Sequence, residues 1–392
     1  MKFRNKENLL IAISSLRKII DIFFGPFLVT YFIKTSTDSL IDLSIYNILV
    51  YFFLGVLGFI IGYIVRNKFQ IGMFRFGVIL NFVYILFIII LKEAILDHLL
   101  ILAFISGIAL IAYWFPYNLF ISLQVKNKNR ESYEVKRKTI SLITSVLTPI
   151  LLGSLITTTD FYLTAIIIAI ISGIQIILSF FIKPEEKKDY KFTPLKSYKT
   201  LIKNKNIFNI FIVEIFIGMN ISDGVLNVLL TILIFNAFKT DLNLGIISSL
   251  SSILTIILSY IYSKKCKNKS DKMIILLCGI VPVISVLLLV FNTNNITLII
   301  YYMIYNCLIN ILSMIIDIRL FNISNSDIVK QNHNIEFWSI REFILNLSRI
   351  IGYSLLLLTA IFNKHDYLNY LLIIITLSIP IMAYFTTKVE RK

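Results

Sequence analysis

Ten charged side chains lie within or at the ends of long apolar runs of this chain, and several recur at helical spacing. In the first run, Arg17 and Asp21 are four residues apart, so a guanidinium and a carboxylate can lie one turn apart on one helix face. An ionised group at the centre of a bilayer costs roughly 3 to more than 10 kcal/mol unless it pairs or meets water. The spacing therefore predicts a fixed ion pair, or a pair that binds substrate or carries a proton.

A second set of polar residues lies in the run at 207–235. Asn220, Asp223 and Asn227 fall at offsets of zero, three and seven, which places them on one helix face, whereas Glu214 points to the opposite side. Because amides can hold both water and substrate, we predict that the Asp223 face lines a cavity and that Glu214 meets a neighbouring helix. The alternative for each group is a buried structural role.

The run at 338–362 begins beside Arg341 and carries Glu342, Asn346 and Arg349 on one face. Arg349 lies near the middle of the run without an adjacent acid on its own helix. It must therefore meet a carboxylate of another segment or an anionic substrate. Arg349 can therefore serve either to bind substrate or to link two helices, and the sequence does not choose between these roles.

Two further groups are candidates for a pocket wall and for a gate. The pocket-wall candidates are Tyr113, Trp114, Tyr117 and Asn118, which would look the same as core packing. The gate candidates Asp317 and Arg319 form an ion pair, or they extend towards the membrane surface by ordinary snorkelling.

The apolar runs themselves must position these groups. With 57% hydrophobic and only 15% charged residues, the chain has too few polar side chains to cover a soluble domain. A helix of about 20 residues crosses a hydrocarbon core of about 30 Å, and the runs do not alternate as barrel strands do. We predict an all-α polytopic membrane protein with spans at about 9–33, 43–65, 72–91, 98–123, 139–158, 161–182, 207–235, 243–262, 273–291, 297–320, 338–362 and 367–387.

The net charge of +16 follows the predicted topology. Of the 38 Lys and Arg residues, 29 lie in the termini and in every second loop. The positive-inside rule then places both termini and these loops in the cytoplasm, which predicts a multi-pass protein of the cytoplasmic membrane. The basic surface thus indicates orientation and contact with the lipid bilayer, and not a nucleic-acid partner.

The longest polar segment divides the predicted spans into six and six. We predict a six-helix bundle over 1–182, a cytoplasmic linker over 183–206 and a second six-helix bundle over 207–392. Within the linker, Leu195, Tyr198, Leu201 and Ile202 recur at helical spacing among lysines. This part is either an amphipathic helix on the inner leaflet or a solvated tether.

This organisation resembles the major facilitator superfamily of secondary transporters, and the likeness covers nearly the whole chain. The loop after the second span contains Gly62 where the family carries its signature glycine, while Arg66 replaces the signature acid. The resemblance implies gating roles for Gly62 and Arg66, and Arg341 at the start of the run at 338–362 is a gating candidate beside Asp317 and Arg319. Pro149 and Gly153 match part of the signature of the family's drug/proton antiporters, which favours efflux by antiport.

We therefore expect a secondary transporter that moves a small solute by alternating access, coupled to protons, as a monomer. With no histidine at mid-membrane, a carboxylate must carry the proton, and Asp21 and Asp223 are the deepest. No enzyme motif, metal-ligand spacing or cofactor motif is found in the sequence. A lipid or glycan-precursor flippase is the alternative, ahead of a multispan membrane enzyme or sensor. Five membrane cations against five acids favour a small or mixed-charge solute over an anionic lipid.

Overall fold

The computed structural model describes residues 2–124, 127–182, 191–221, 223–265, 271–292, 294–330, 333–362 and 366–390. Within these ranges every regular element is a helix, which confirms the predicted all-α class. Helices suit these apolar sequences because a bilayer offers no hydrogen-bond partner, so backbone groups must be satisfied within the segment.

The helices follow the predicted spans in chain order, and span numbers below refer to them. Spans 1 to 6 are Lys2–Ile22 with a π-helical turn Phe23–Phe27 and Leu28–Thr35; Ser39–Ile64; Gln70–Leu91; Leu99–Gln124; Asn127–Thr158; and Phe161–Phe180. Spans 7 to 12 are Lys205–Asn220 with Val225–Phe238; Asp241–Lys265; Lys272–Phe291; Asn295–Ser324; Asn334–Ile361; and Asp366–Thr376 with Ile379–Lys388.

Ten stretches of helix among the described residues are long and apolar enough to cross a membrane. One of them, Gln70–Ile121, contains both span 3 and span 4. Span 1 is additional, because Arg17, Lys18 and Asp21 make its middle more polar than the other spans. This arrangement is consistent with twelve spans, and the chain is a multi-pass membrane protein.

Spans 2 and 11 approach each other closely because a row of glycines in span 2 faces span 11. The row consists of Gly55, Gly58 and Gly62. A Cβ added at Gly55 would meet Cβ of Asn346 at 3.4 Å, and one at Gly62 would overlap the hydroxyl of Ser339. Small residues allow this approach of two helix backbones, which joins the first six spans to the last six.

Spans 5 and 8 form a second close contact between the two sets of spans. A Cβ at Gly153 would overlap the backbone carbonyl of Asp241, and one at Gly245 would overlap the carbonyl of Pro149. Pro149 and Gly153 therefore lie at a helix–helix contact, towards the end of the bundle opposite the linker.

Span 7 is broken, and the prediction of one continuous helix over 207–235 is wrong. Its first helix ends at Asn220, Ile221 has extended backbone angles, and the second helix begins at Val225. A Cβ at Gly224 would overlap the carbonyl of Met219, so glycine permits the chain to pass close to its own preceding turn.

The described part of the linker includes a short helix, Pro194–Leu201. Its Ser197 is buried, and the Ser197 hydroxyl lies 2.9 Å from Nδ1 of His333, just before span 11. Leu195 and Tyr198 remain exposed. This segment thus packs on the protein while presenting an apolar side outward, and it is not a freely solvated tether.

Candidate functional site

Arg17 of span 1 is held on three sides. Its Nε donates to Oδ1 of Asp21 at 2.7 Å, and its Nη1 donates to Oδ1 of Asn81 in span 3 at 2.9 Å. Its Cζ lies 5.0 Å from the ring centroid of Tyr113 in span 4. The guanidinium is therefore fixed by spans 1, 3 and 4, since a planar group with this many directional contacts has little freedom.

Asp223 lies in the break of span 7 and faces Arg349 of span 11. Oδ2 of Asp223 is 3.6 Å from Nη2 of Arg349, whose Nη1 donates to Oδ1 of Asn346 at 3.1 Å. Tyr51 of span 2 lies under this guanidinium, with 4.8 Å between Cζ and the ring centroid. The backbone carbonyl of Asp223 accepts hydrogen bonds from Tyr51 at 3.2 Å and from Tyr353 at 3.0 Å.

These two ion pairs form one electrostatic unit, here called the two-pair site: Arg17, Asp21, Asp223 and Arg349. The carboxylates of Asp21 and Asp223 are close enough to interact electrostatically, although they come from the two different sets of six spans. The side chains of Arg17 and Arg349 are 3% and 10% exposed, whereas those of Asp21 and Asp223 are 27% and 55% exposed. The acids are thus the accessible members of the two pairs and can accept protons or a hydrogen-bond donor, whereas the arginines are mostly covered.

The predicted polar stripe of span 7 is divided by the break. Asn220 is buried, and its Nδ2 donates to Oγ of Ser378 in span 12 at 2.6 Å. Its carbonyl accepts a hydrogen bond from Tyr305 of span 10. Asn227 is half-buried on the second helix of the span. Asn220 therefore serves the packing of spans 10 and 12, and the prediction that it shares a face with Asp223 is wrong.

Glu214 faces span 11, away from the two-pair site. Its Oε1 accepts from Nε of Arg341 at 3.0 Å, and Nη1 of Arg341 also donates to Oε1 of Glu342 at 2.7 Å. Glu214 and Glu342 are buried, and Oε2 of Glu214 has no hydrogen-bond partner among the described residues. One guanidinium is thus shared by two buried carboxylates at the contact between spans 7 and 11.

The aromatic group of span 4 is mostly interior. Tyr113 and Tyr117 are fully buried and stacked with ring centroids 5.7 Å apart, while Trp114 and Asn118 are half-buried. Neither tyrosine hydroxyl has a hydrogen-bond partner within the described part of the chain. Tyr113 joins the two-pair site through Arg17, whereas Tyr117 packs in the core against Phe74.

Of the gate candidates in the first six spans, Gly62 lies in the contact between spans 2 and 11. Arg66 lies over the ring of Tyr63, with 3.9 Å between its Cζ and the ring centroid. Arg66 therefore covers an aromatic side chain of its own segment, a cation–π contact.

Arg319 is buried in the bundle, so the prediction that it snorkels towards the membrane surface is wrong. Its Nη1 donates to the carbonyl of Val389 at 2.8 Å and to that of Thr386, and its Nη2 lies 3.8 Å from Oδ2 of Asp271. It thus joins the end of span 12 to the start of span 9. Asp317 lies within electrostatic reach of the Glu214–Arg341 pair.

A contact that the sequence pattern did not predict closes the opposite end of the bundle. Asp241, the first residue of span 8, is buried and accepts from Oγ1 of Thr30 at 2.6 Å. It also forms an ion pair with Lys34 at the end of span 1. The only signal in the sequence is a lysine and an acid at the ends of two predicted spans, and no spacing rule links them. Tyr51, Tyr353 and Asn81 were missed because single polar groups in apolar runs are common.

Comparisons with known proteins agree with this architecture. The family model described as Major Facilitator Superfamily matches residues 10–353. The uncharacterized protein YqgE of Bacillus subtilis (strain 168) is 23% identical over 373 residues, covering 93% of this chain and 85% of that protein.

Two solved structures share the fold. A bacterial homologue of the iron transporter ferroportin, in an inward-facing state, aligns with a TM-score of 0.67 and 14% identity over 98% of each chain. The nucleoside transporter NupG aligns with a TM-score of 0.66 and 12% identity over 99% of each chain. At these identities the likeness concerns the fold alone.

Proposed function

Because the chain belongs to the Major Facilitator Superfamily, it is a secondary transporter and not an enzyme, and we propose that it exports a small solute across the cytoplasmic membrane in exchange for protons. The transport cycle is alternating access, in which residues 1–182 and 207–392 move as two bundles around a central site. The protein acts as a monomer, with both termini in the cytoplasm.

The observation that carries this proposal is the two-pair site. Asp21 belongs to the first six spans and Asp223 to the last six, and both carboxylates are accessible. A solute bound between them contacts both bundles at once. Its affinity then differs between conformations in which the distance between the bundles differs, which is the requirement for ligand-driven alternation.

Proton coupling rests on the same two carboxylates. An accessible carboxylate that faces a buried arginine can either hold a proton or remain ionised and bind solute. Protonation of Asp223 would remove the partner of Arg349, and protonation of Asp21 would remove that of Arg17. Each proton therefore changes the charge that the solute meets, and this competition gives exchange. Export is supported by Pro149 and Gly153 at the close contact of spans 5 and 8, where the likeness to drug/proton antiporters lies.

The test uses purified protein in lipid vesicles that contain a pH-sensitive dye. A thermal-shift screen of drugs, sugars, amino acids, nucleosides and lipids first finds a binder, because a ligand that binds the folded state raises the melting temperature. Addition of that binder should then move protons across the vesicle membrane. Asp223→Asn should abolish the proton signal.

Asp160→Asn is the matched control, because Asp160 caps span 6 by accepting from the backbone N–H of Leu163 at 2.6 Å, and asparagine caps equally well. Proton-coupled flux in this variant should equal that of the unmodified protein. Unchanged coupled flux in both Asp21→Asn and Asp223→Asn would contradict the assignment of the proton to these residues.

A further inference from the structure

The charges at the two-pair site cancel in number but not in accessibility. Two arginines and two aspartates give a formal charge of zero, and the half-buried Lys18, three residues before Asp21, adds a positive charge within electrostatic reach of Asp21. Yet Arg17 and Arg349 expose 3% and 10% of their side chains, against 27% and 55% for Asp21 and Asp223. An arriving solute therefore meets carboxylate oxygens first, and the guanidinium groups lie one layer deeper.

Each arginine also contacts an asparagine and an aromatic ring, in addition to its aspartate. Arg17 donates to Asn81 and lies over the ring of Tyr113, while Arg349 donates to Asn346 and lies over the ring of Tyr51. An anionic solute would have to displace an aspartate and reach a buried cation. A cationic solute needs no such rearrangement, because it can form an ion pair with the accessible oxygens of each carboxylate while the arginines stay in place.

The layer behind the carboxylates also contains the hydroxyl of Tyr113. The side chain of Tyr113 is fully buried, its hydroxyl has no hydrogen-bond partner among the described residues, and it lies within electrostatic reach of Asp21. Because its ring lies against the Arg17 guanidinium, Tyr113 belongs to the covered layer, and Asp21 is the group that a solute meets.

We propose that the transported solute carries a positive charge and is held through it by Asp21 and Asp223, one carboxylate from each bundle. This inference rests on the proposed function for its central site and adds the chemical class of the solute. A cation and protons would then compete for the same two oxygen pairs, which makes exchange a direct consequence of the site.

The test measures the sign of the local charge and needs no knowledge of the solute. In protein whose Cys266, Cys278 and Cys307 are replaced by serine, a single cysteine is placed at Gly25 or at Asn227. These positions follow Asp21 and Asp223 by four residues each, and a Cβ at Gly25 meets no atom within 4 Å. Each cysteine is reacted with the cationic reagent trimethylammonioethyl methanethiosulfonate and with its anionic analogue sulfonatoethyl methanethiosulfonate.

The quantity compared is the ratio of the cationic to the anionic reaction rate, divided by the same ratio for 2-mercaptoethanol. We expect a ratio of about ten or more at both positions, since one nearby unit charge at intermediate dielectric changes a rate by roughly tenfold. With Asp21→Asn and Asp223→Asn combined, the ratio should fall to one or below, because the two arginines then lose their counter-ions.

A ratio below one in the protein with both aspartates would overturn the proposal and favour an anionic solute. Failure of both cysteines to react with either reagent would overturn it too, since the carboxylates would then be inaccessible. A high ratio without proton-coupled flux in vesicles would refute the proposed proton exchange and leave the cation site standing. The two proposals therefore fail separately.

Discussion

Asp241→Asn should weaken the closure of the bundle at the end opposite the linker. The buried carboxylate of Asp241 accepts from Thr30 at 2.6 Å and pairs with Lys34, so it ties span 8 to span 1. Asparagine has nearly the same size and can still accept from Thr30. The substitution therefore removes the charge interaction between the two sets of spans and little else.

The magnitude follows from the burial of the two partners. A hydrogen bond to a charged group contributes about 1.5–3 kcal/mol, but the Lys34 side chain is 45% exposed and its charge is partly screened. We expect about 1–2 kcal/mol in favour of conformations that lack this contact. At 1.4 kcal/mol per factor of ten, that is roughly a 5- to 30-fold change in their population. Lys34→Met should have at least as large an effect, because it leaves a buried carboxylate without its counter-ion.

Double electron–electron resonance measures this population through the distribution of distances between spin labels attached at Glu93 and Asn295. Both residues are exposed, and they lie at that end in the first and the last six spans respectively. The longer-distance component should grow in Asp241→Asn and in Lys34→Met. Asp97→Asn, an exposed aspartate at the same end, is the control and should leave the distribution unchanged. Distributions equal to that of the unmodified protein in both variants would refute the closing role of the contact.

Two further predictions concern stability, measured as the melting temperature in detergent. Gly62→Ala should destabilise the protein by about 1–3 kcal/mol, because its new Cβ would overlap the Ser339 hydroxyl and press on the ring of Phe192. Ser339→Ala should restore part of the loss. Gly173→Ala is the control: it meets no atom within 4 Å inside a helix and should not destabilise the protein. Arg341→Met should cost about 3–5 kcal/mol because it leaves two buried carboxylates uncompensated, whereas Glu214→Gln keeps one acid per arginine and should be mild. Equal melting temperatures for these last two variants would contradict the shared-guanidinium arrangement.

The bilayer makes part of this architecture predictable from sequence. Its thickness sets the length of each apolar run, so the spans follow from hydropathy alone. The energetic cost of a buried arginine also requires a carboxylate from another span, and Asp223 meets that requirement of Arg349. Sequence spacing does not say which member of a pair is accessible, because Arg17 and Asp21 share one helix face. Equal numbers of cations and acids in the spans therefore gave no indication that the acids are the more accessible groups.

The break in span 7 escaped prediction for a different reason. Hydropathy averages over about 20 residues and is insensitive to one turn of irregular backbone. The sequence does contain a local signal, since Asp223-Gly224 is a turn-forming pair. The contact of Lys34 with Asp241 carries no such signal: the two residues are 207 positions apart, and only the packing of spans 1 and 8 brings them together.

The break also explains why three tyrosines surround it. Backbone carbonyls freed from a helix within a membrane need a donor, because lipid offers none. Tyr305 donates to the carbonyl of Asn220, and Tyr51 and Tyr353 donate to that of Asp223. Tyr51 belongs to the first six spans, so one of these donors comes from across the interface. Any motion that separates span 2 from span 7 must therefore break the hydrogen bond from Tyr51 to Asp223. Because the carboxylate of the same Asp223 faces Arg349, the relative position of the two bundles is linked to the charge at the site.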